Sequence, residues 1–276
     1  MPFLTNNYTK ETADIFYEDY GSGQPVILIH GWPLSHKAWE GQITEIVDAG
    51  YRCIAYDRRG FGISSAPWSS YDYSSLASDL RSIILQLDLK DVIICGFSMG
   101  GGEVVRYFSD YGNDRIAKAA LISSIIPLVK KKDDNPDGVP EEDLAGIMGA
   151  LAEDRVGFLK DFSKNFYNYE DLKDRISEAQ LDYDFSIASH ASPRATLKCA
   201  QAWAETDFRE ELKNVVVPTL IVHGDADNIV PIKTAGDQAA KGIENNSYEV
   251  IKGAPHGLNI THRKELNALL LDFFRK

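Results

Sequence analysis

Val92-Ile93-Ile94-Cys95-Gly96-Phe97-Ser98-Met99-Gly100-Gly101-Gly102 starts as an unbroken apolar run and ends in glycines set around one serine. The apolar run reads as a strand buried on both faces, as in a parallel sheet. Met99 to Tyr111 reads as a helix. Strand, Gly-x-Ser-x-Gly, helix is the context in which this pattern forms a nucleophile elbow, with the serine forced up out of a sharp turn. Gly96 and Gly100 flank Ser98 at two residues' distance, where a Cβ would crowd the strand and helix that meet there. The first amides of the helix point back at the serine and suit a developing anion.

The same strand-helix rhythm recurs on both sides of this stretch. Pro25 to Ile29 is a short, continuously apolar strand. Tyr51 to Tyr56 is another, and the pattern gives it Val92 to Cys95 as partner. Ile15 to Tyr20 is aromatic and β-branched and ends in a Gly-Ser-Gly turn, with Phe3 to Tyr8 as its hairpin partner. Helices are expected at about Ala38 to Ala49 and Ser74 to Leu87. In the second, Leu76, Leu80, Ile83, Ile84 and Leu87 share one stripe. Ala117 to Ser123 is the strand after the elbow helix. At Pro127 the rhythm breaks into a charged, turn-rich segment, and from Glu141 to about Lys213 only helical patterns follow. It resumes at Pro218 with strands Thr219 to His223 and Tyr248 to Ile251, each followed by a helix, Thr234 to Ile243 and Lys264 to Phe274. The expected architecture is α/β: a mostly parallel central sheet flanked by helices, with a helical cap insertion. Residues 1–126 and 214–276 form the core in this reading, and 127–213 the cap.

The 276 residues allow one large core with an insertion. A net charge of -12 and an isoelectric point near 5.0 disfavour nucleic acid and anionic membranes as partners. No apolar run approaches the ~20 residues of a membrane span, and the first residues carry no signal-peptide pattern. Cys53, Cys95 and Cys199 are odd in number and irregular in spacing, which fits buried thiols in a reducing compartment. The expectation is a cytoplasmic protein. No metal-ligand spacing or phosphate-binding loop appears, so no cofactor or metal is expected.

A serine hydroxyl needs a base within hydrogen-bond reach and a group that orients the base. Of six histidines, His256 is the candidate base. It sits in Gly253-Ala254-Pro255-His256-Gly257, a loop after the last strand, on the sheet edge where the elbow lies. The orienting acid should come from His223-Gly224-Asp225-Ala226-Asp227. Asp225 follows the strand end and suits a turn cap. Asp227 lies further out and is preferred, although spacing alone leaves both open. Two amides should hold the oxyanion: that of Met99, and that of Trp32 in His30-Gly31-Trp32-Pro33-Leu34. Pro33 has no amide hydrogen and offers only its carbonyl. His30 reads as a structural hydrogen-bonder beneath this loop. Asp57 and Arg59 read as loop clamps rather than catalysts. Phe158, Phe162 and Phe166 fall at i, i+4 spacing. Phe158 and Phe162, with Pro33 and Trp203, are the candidate substrate pocket. His190 has no chemical role in this reading.

Taken together, His30 to Leu34, Tyr56-Asp57-Arg58-Arg59-Gly60-Phe61-Gly62, Gly96 to Gly102, Asp133 to Pro140, His223 to Asp227 and Ala254 to Gly257 resemble the small α/β-hydrolases. That group includes cofactor-free haloperoxidases (perhydrolases), aryl esterases and γ-lactamases. The resemblance runs from about Tyr17 onward. It implies that the acid is the second aspartate of Gly-Asp-x-Asp, here Asp227. It also implies an acyl-enzyme on Ser98, released by water as an acid or by hydrogen peroxide as a peracid that oxidises halide. In those enzymes a proline after the oxyanion-hole tryptophan, here Pro33, accompanies perhydrolysis. The substrates implied are small esters or lactams. A γ-lactamase on the same residues is the alternative, a receptor that retains them a remote one, and a homo-oligomer is left open.

Overall fold

The computed structural model describes residues 2–276. Its frame is an eight-stranded sheet: β1 (Phe3–Asn6), β2 (Ala13–Gly21), β3 (Pro25–Ile29), β4 (Arg52–Tyr56), β5 (Val92–Phe97), β6 (Ile116–Ile122), β7 (Thr219–Gly224) and β8 (Asn246–Ile251). The spatial order is β1-β2-β4-β3-β5-β6-β7-β8. The pairs β1·β2 and β2·β4 are antiparallel, and every later pair is parallel. Every residue of β5 and β7 is buried, as the apolar runs Val92–Cys95 and Leu220–Val222 at their centres require of central parallel strands.

One expectation fails here. The strand ending at Tyr56 does not pair with Val92–Cys95, because β3 lies between them, with Leu28 opposite both Ala55 and Cys95. The chain winds outward from β3 to β4 and then crosses back over β3 to β5. Apolarity marks all three as central but carries no information on their order.

Helices cover both faces of the sheet. α1 (Glu40–Asp48) packs on the C-terminal α9 (Arg263–Arg275), while α2 (Tyr73–Gln86) packs on α3 (Met99–Tyr111). The helix expected to begin at Ala38 starts instead as a 3-10 turn, His36–Trp39, capped by the Ser35 hydroxyl. Between β6 and β7 run α4 (Glu141–Phe166), α5 (Glu178–His190) and α6 (Pro193–Glu205). α4 is broken at Asp154, whose backbone is non-helical and whose carboxylate accepts the Gly157 amide at 2.9 Å, starting a second helix. α7 (Gly236–Gly242) follows β7, and a short α8 (Leu258–Thr261), not foreseen from the sequence, follows the His256 loop. Among the described residues no helix is long and apolar enough to cross a membrane. Cys53, Cys95 and Cys199 are free and buried, and burial pushes the Cys53 and Cys199 thiols up to about 12.

Candidate active site

The elbow is built by close approach. A Cβ on Gly96 would stand 2.5 Å from the Gly100 carbonyl oxygen, and one on Gly100 would stand 2.6 Å from that of Ile29. Both lie below any tolerable contact, so the turn needs glycine at these positions. Ser98 itself takes φ 53°, ψ -117°, a backbone state that a non-glycine residue holds only when its surroundings impose it. They do. The Ser98 amide donates to the Ile122 carbonyl at 2.9 Å, and its carbonyl accepts from Gly101 at 3.0 Å.

Three loops from the carboxyl ends of β5, β7 and β8 bring Ser98, Asp227 and His256 together. His256 Nδ1 donates to Asp227 Oδ2 at 2.7 Å. With the proton held there, His256 Nε2 is left to accept from the Ser98 hydroxyl at 2.8 Å. Asp227 Oδ1 accepts the amides of Ile229 at 2.9 Å and Val230 at 2.8 Å, which fixes the plane of its carboxylate. The buried His223 adds Nε2 at 3.3 Å from Oδ2. Burial alone would raise the Asp227 pKa. The charge and hydrogen bonds of His256 and His223 outweigh it and hold the carboxyl well below the usual carboxylate range.

Asp225 does something else. Its carboxylate accepts the Gly253 amide at 2.5 Å, and the Ala226 amide donates to the Ala254 carbonyl at 3.2 Å. The acid loop and the histidine loop are thus sewn to each other. A third stitch joins Gly257 N–H to the Phe166 carbonyl at 2.9 Å. The Phe166 ring stands edge-on to His256, centroids 4.9 Å apart, and Phe97 lies on another side at 5.4 Å. His256 is 1% exposed.

Trp32 and Met99 each follow the end of a strand, β3 and β5, that are neighbours in the sheet. Among the described residues no protein acceptor takes either amide. The Trp32 indole is anchored by its Nε1–H to the Thr196 carbonyl at 2.9 Å. Phe162 and Trp203 pack on it at 5.4 and 5.9 Å. The Trp32–Pro33 peptide is cis. Pro33 and Phe162, with Leu34, Leu159, Phe166 and Asp184, line a cavity of about 20 Å³, room for about one water-sized group. Phe158 stacks behind Phe162 at 5.7 Å. Of the four expected pocket residues, then, two line this cavity. Phe158 stands behind the lining on Phe162, and Trp203 packs on Trp32 outside it.

The residues read as structural are hydrogen-bonded within the core. His30 Nε2 accepts the Arg58 amide at 3.0 Å, and Nδ1 donates to the Gly31 carbonyl at 2.8 Å. Burial and the neighbouring Arg58 charge hold His30 well below the ordinary histidine value, hence neutral. Asp57 accepts the His36 amide and ring at 2.8 and 2.6 Å and the Ile63 amide at 2.9 Å. Arg59 forks onto Asp79 at 2.7 and 2.6 Å. The ring of the exposed His190 bonds the Ser186 carbonyl on its own helix.

Arg58, Glu103, His223 and Asp184 escaped the sequence reading. Glu103 alone left a signal: a carboxylate one helical turn after Met99, on the face that the surrounding small and apolar residues mark as inward.

A family model described as the alpha/beta hydrolase fold matches residues 24–263. The chain is 39% identical to the non-heme chloroperoxidase of Kitasatospora aureofaciens, covering all of both chains. It is 36% identical to a bifunctional esterase/perhydrolase of Acinetobacter calcoaceticus, covering 97% of this chain and 98% of that one. The crystal structure of a bromoperoxidase from Bacillus anthracis superposes with a TM-score of 0.96 at 45% identity, covering 100% of this chain and 99% of the other. The chain therefore belongs to the α/β-hydrolase fold family, among its non-heme haloperoxidases and esterase/perhydrolases.

Proposed function

We propose that the protein is a serine carboxylic-ester hydrolase that passes its acyl group to hydrogen peroxide as well as to water. The relay from Ser98 through His256 to Asp227, at 2.8 and 2.7 Å, is the observation that carries the reading. His256 Nε2 takes the Ser98 proton as Oγ attacks the ester carbonyl. The Met99 and Trp32 amides receive the oxyanion. Collapse expels the alcohol, protonated by His256, and leaves the acyl group on Ser98. His256 then deprotonates water, releasing a carboxylic acid, or hydrogen peroxide, releasing a peracid. Peracid, halide ion and a proton give carboxylic acid and hypohalous acid in solution. Asp227 keeps imidazole in the accepting tautomer and stabilises the imidazolium.

Aromatic packing around Trp32 supports a small, apolar acyl group, with Pro33, Phe158, Phe162 and Trp203 as its surroundings and residues 127–213 as the cap. Three free, buried cysteines support a cytoplasmic setting. The test uses one preparation, p-nitrophenyl acetate hydrolysis, and acetate plus peroxide with a bromide-dependent dye. Both activities should appear in the wild type and vanish together in Ser98→Ala. Halogenation that survives in Ser98→Ala would refute the shared acyl-enzyme.

A further inference from the structure

The two amides proposed for the oxyanion hole belong to separate segments. Met99 opens α3, and Trp32 lies in the loop after β3. The sheet holds these segments together only as far as the pair Ile29–Gly96. Past that point a buried ionic bridge takes over. Glu103 stands four residues after Met99, one turn along the same helix face. Its Oε1 accepts Arg58 Nε at 2.6 Å, with the Arg58 Nη2 in direct contact, and its Oε2 accepts the Tyr56 hydroxyl at 2.7 Å. The same guanidinium reaches the other way. Arg58 Nη2 donates to the His30 carbonyl at 2.6 Å, and the Arg58 amide donates to His30 Nε2 at 3.0 Å. His30 is two residues before Trp32. Arg58 and Glu103 are both 0% exposed.

We propose that Glu103 and Arg58 are positioning residues that set the separation of the Met99 and Trp32 amides by clamping α3 to the His30 carbonyl. This rests on the acyl-enzyme reading above and adds what holds its oxyanion hole in register. A charged fork buried on both sides is a costly way to fill a core, since apolar residues of similar volume often serve stability as well. What the fork offers is planar geometry: one rigid group with two directed contacts, one per segment. An ångström of drift between two oxyanion donors is enough to weaken the transition state while leaving ester binding alone.

Two substitutions test it. Arg58→Lys keeps the charge opposite Glu103, but an ammonium lacks the planar fork that spans to the His30 carbonyl. Glu103→Gln keeps the shape and removes the charge. With p-nitrophenyl acetate, each should lower kcat by about 10- to 100-fold with KM within about twofold. Inhibition by a trifluoromethyl ketone, whose hemiketal oxyanion probes the same two amides, should weaken in proportion to kcat/KM. Tyr56→Phe, the mildest cut into the network, should cost about threefold in kcat and stands in for any variant that does not fold. Folded variants with unchanged kcat and unchanged ketone affinity would overturn the proposal, as would losses confined to KM. Ser98→Ala is measured alongside. If it retained turnover, the acyl-enzyme reading itself would fail, whereas an inactive Ser98→Ala beside fully active Arg58→Lys and Glu103→Gln would remove only the positioning role.

Discussion

Replacing Asp227 by asparagine exchanges one oxygen for an NH2 group, and the structure dictates which way the new amide must sit. Asp227 Oδ1 receives two backbone amides, from Ile229 and Val230, at 2.9 and 2.8 Å. An NH2 group there would face two donors, so the oxygen of the substituted side chain has to occupy that place. Its NH2 then faces His256 Nδ1, where Asp227 Oδ2 now accepts at 2.7 Å. Nδ1 must become the acceptor, the imidazole proton moves to Nε2, and Nε2 can no longer take the Ser98 proton. The expected loss is about 10³ to 10⁴ in kcat, or about 4 to 5.5 kcal/mol of barrier. KM should hold, because the Asp227 side chain is fully buried behind its bond to His256. The assay is p-nitrophenyl acetate turnover with pre-steady-state acylation, so that the slowed step is seen to include formation of the acyl-enzyme. Asp225→Asn is the control. It weakens the 2.5 Å bond to the Gly253 amide and should act on stability, by about 0.5–2 kcal/mol, with a rate loss under tenfold. A loss below tenfold in Asp227→Asn, or an equal loss in Asp225→Asn, would refute the tautomer argument.

Further outcomes follow from the same geometry. Ser98→Ala should lower kcat by about 10⁶ with the fold intact by circular dichroism, and a fluorophosphonate should label Ser98 alone in peptide mapping of the wild type. Pro33→Leu restores an amide hydrogen and frees φ beside the proposed oxyanion donor Trp32. The ratio of peracid formation to ester hydrolysis should fall about tenfold, equivalent to about 1.4 kcal/mol, and equal falls in both rates would leave Pro33 no part in choosing the nucleophile. Asp184 is 5% exposed, and burial pushes its carboxyl up to about 6 from an ordinary 3.8 against the hydrogen bonds of Tyr167 and Gln180. The folded state therefore holds a proton that the unfolded state has lost, and stability falls as pH rises from about 4 to about 6. Asp184→Asn removes that titration while keeping an acceptor for the Tyr167 hydroxyl. Its stability relative to wild type, measured by urea melts, should climb by up to about 3 kcal/mol across that window, and a flat difference would show that Asp184 does not titrate there.

How far a chain of this kind can be read depends on the range of the interactions involved. The elbow was legible because its constraints are local: Gly96 and Gly100 are forbidden a Cβ by atoms only a few residues away or on the adjoining strand. The central strands were legible because burial on both faces leaves no room for alternation. Strand order was not, and β3 stands where the linear pattern placed a direct neighbour, because any of these apolar ribbons satisfies its neighbours equally well. Asp227 and Asp225 lie two residues apart with the same chemistry, and spacing could only prefer one. What separates them is that Asp225 meets a backbone amide of the histidine loop while Asp227 meets the ring. Arg58 and Glu103 were hidden for a related reason. A charged residue declares itself by sequence only when its partner is near in the chain, and these two are 45 residues apart. Both are fully buried, and a buried charge is tolerated only where its partner is already fixed by the rest of the fold. The polar core beneath the Trp32 loop is therefore a consequence of the topology, and it comes into view only after the sheet has brought β3, β4 and α3 side by side.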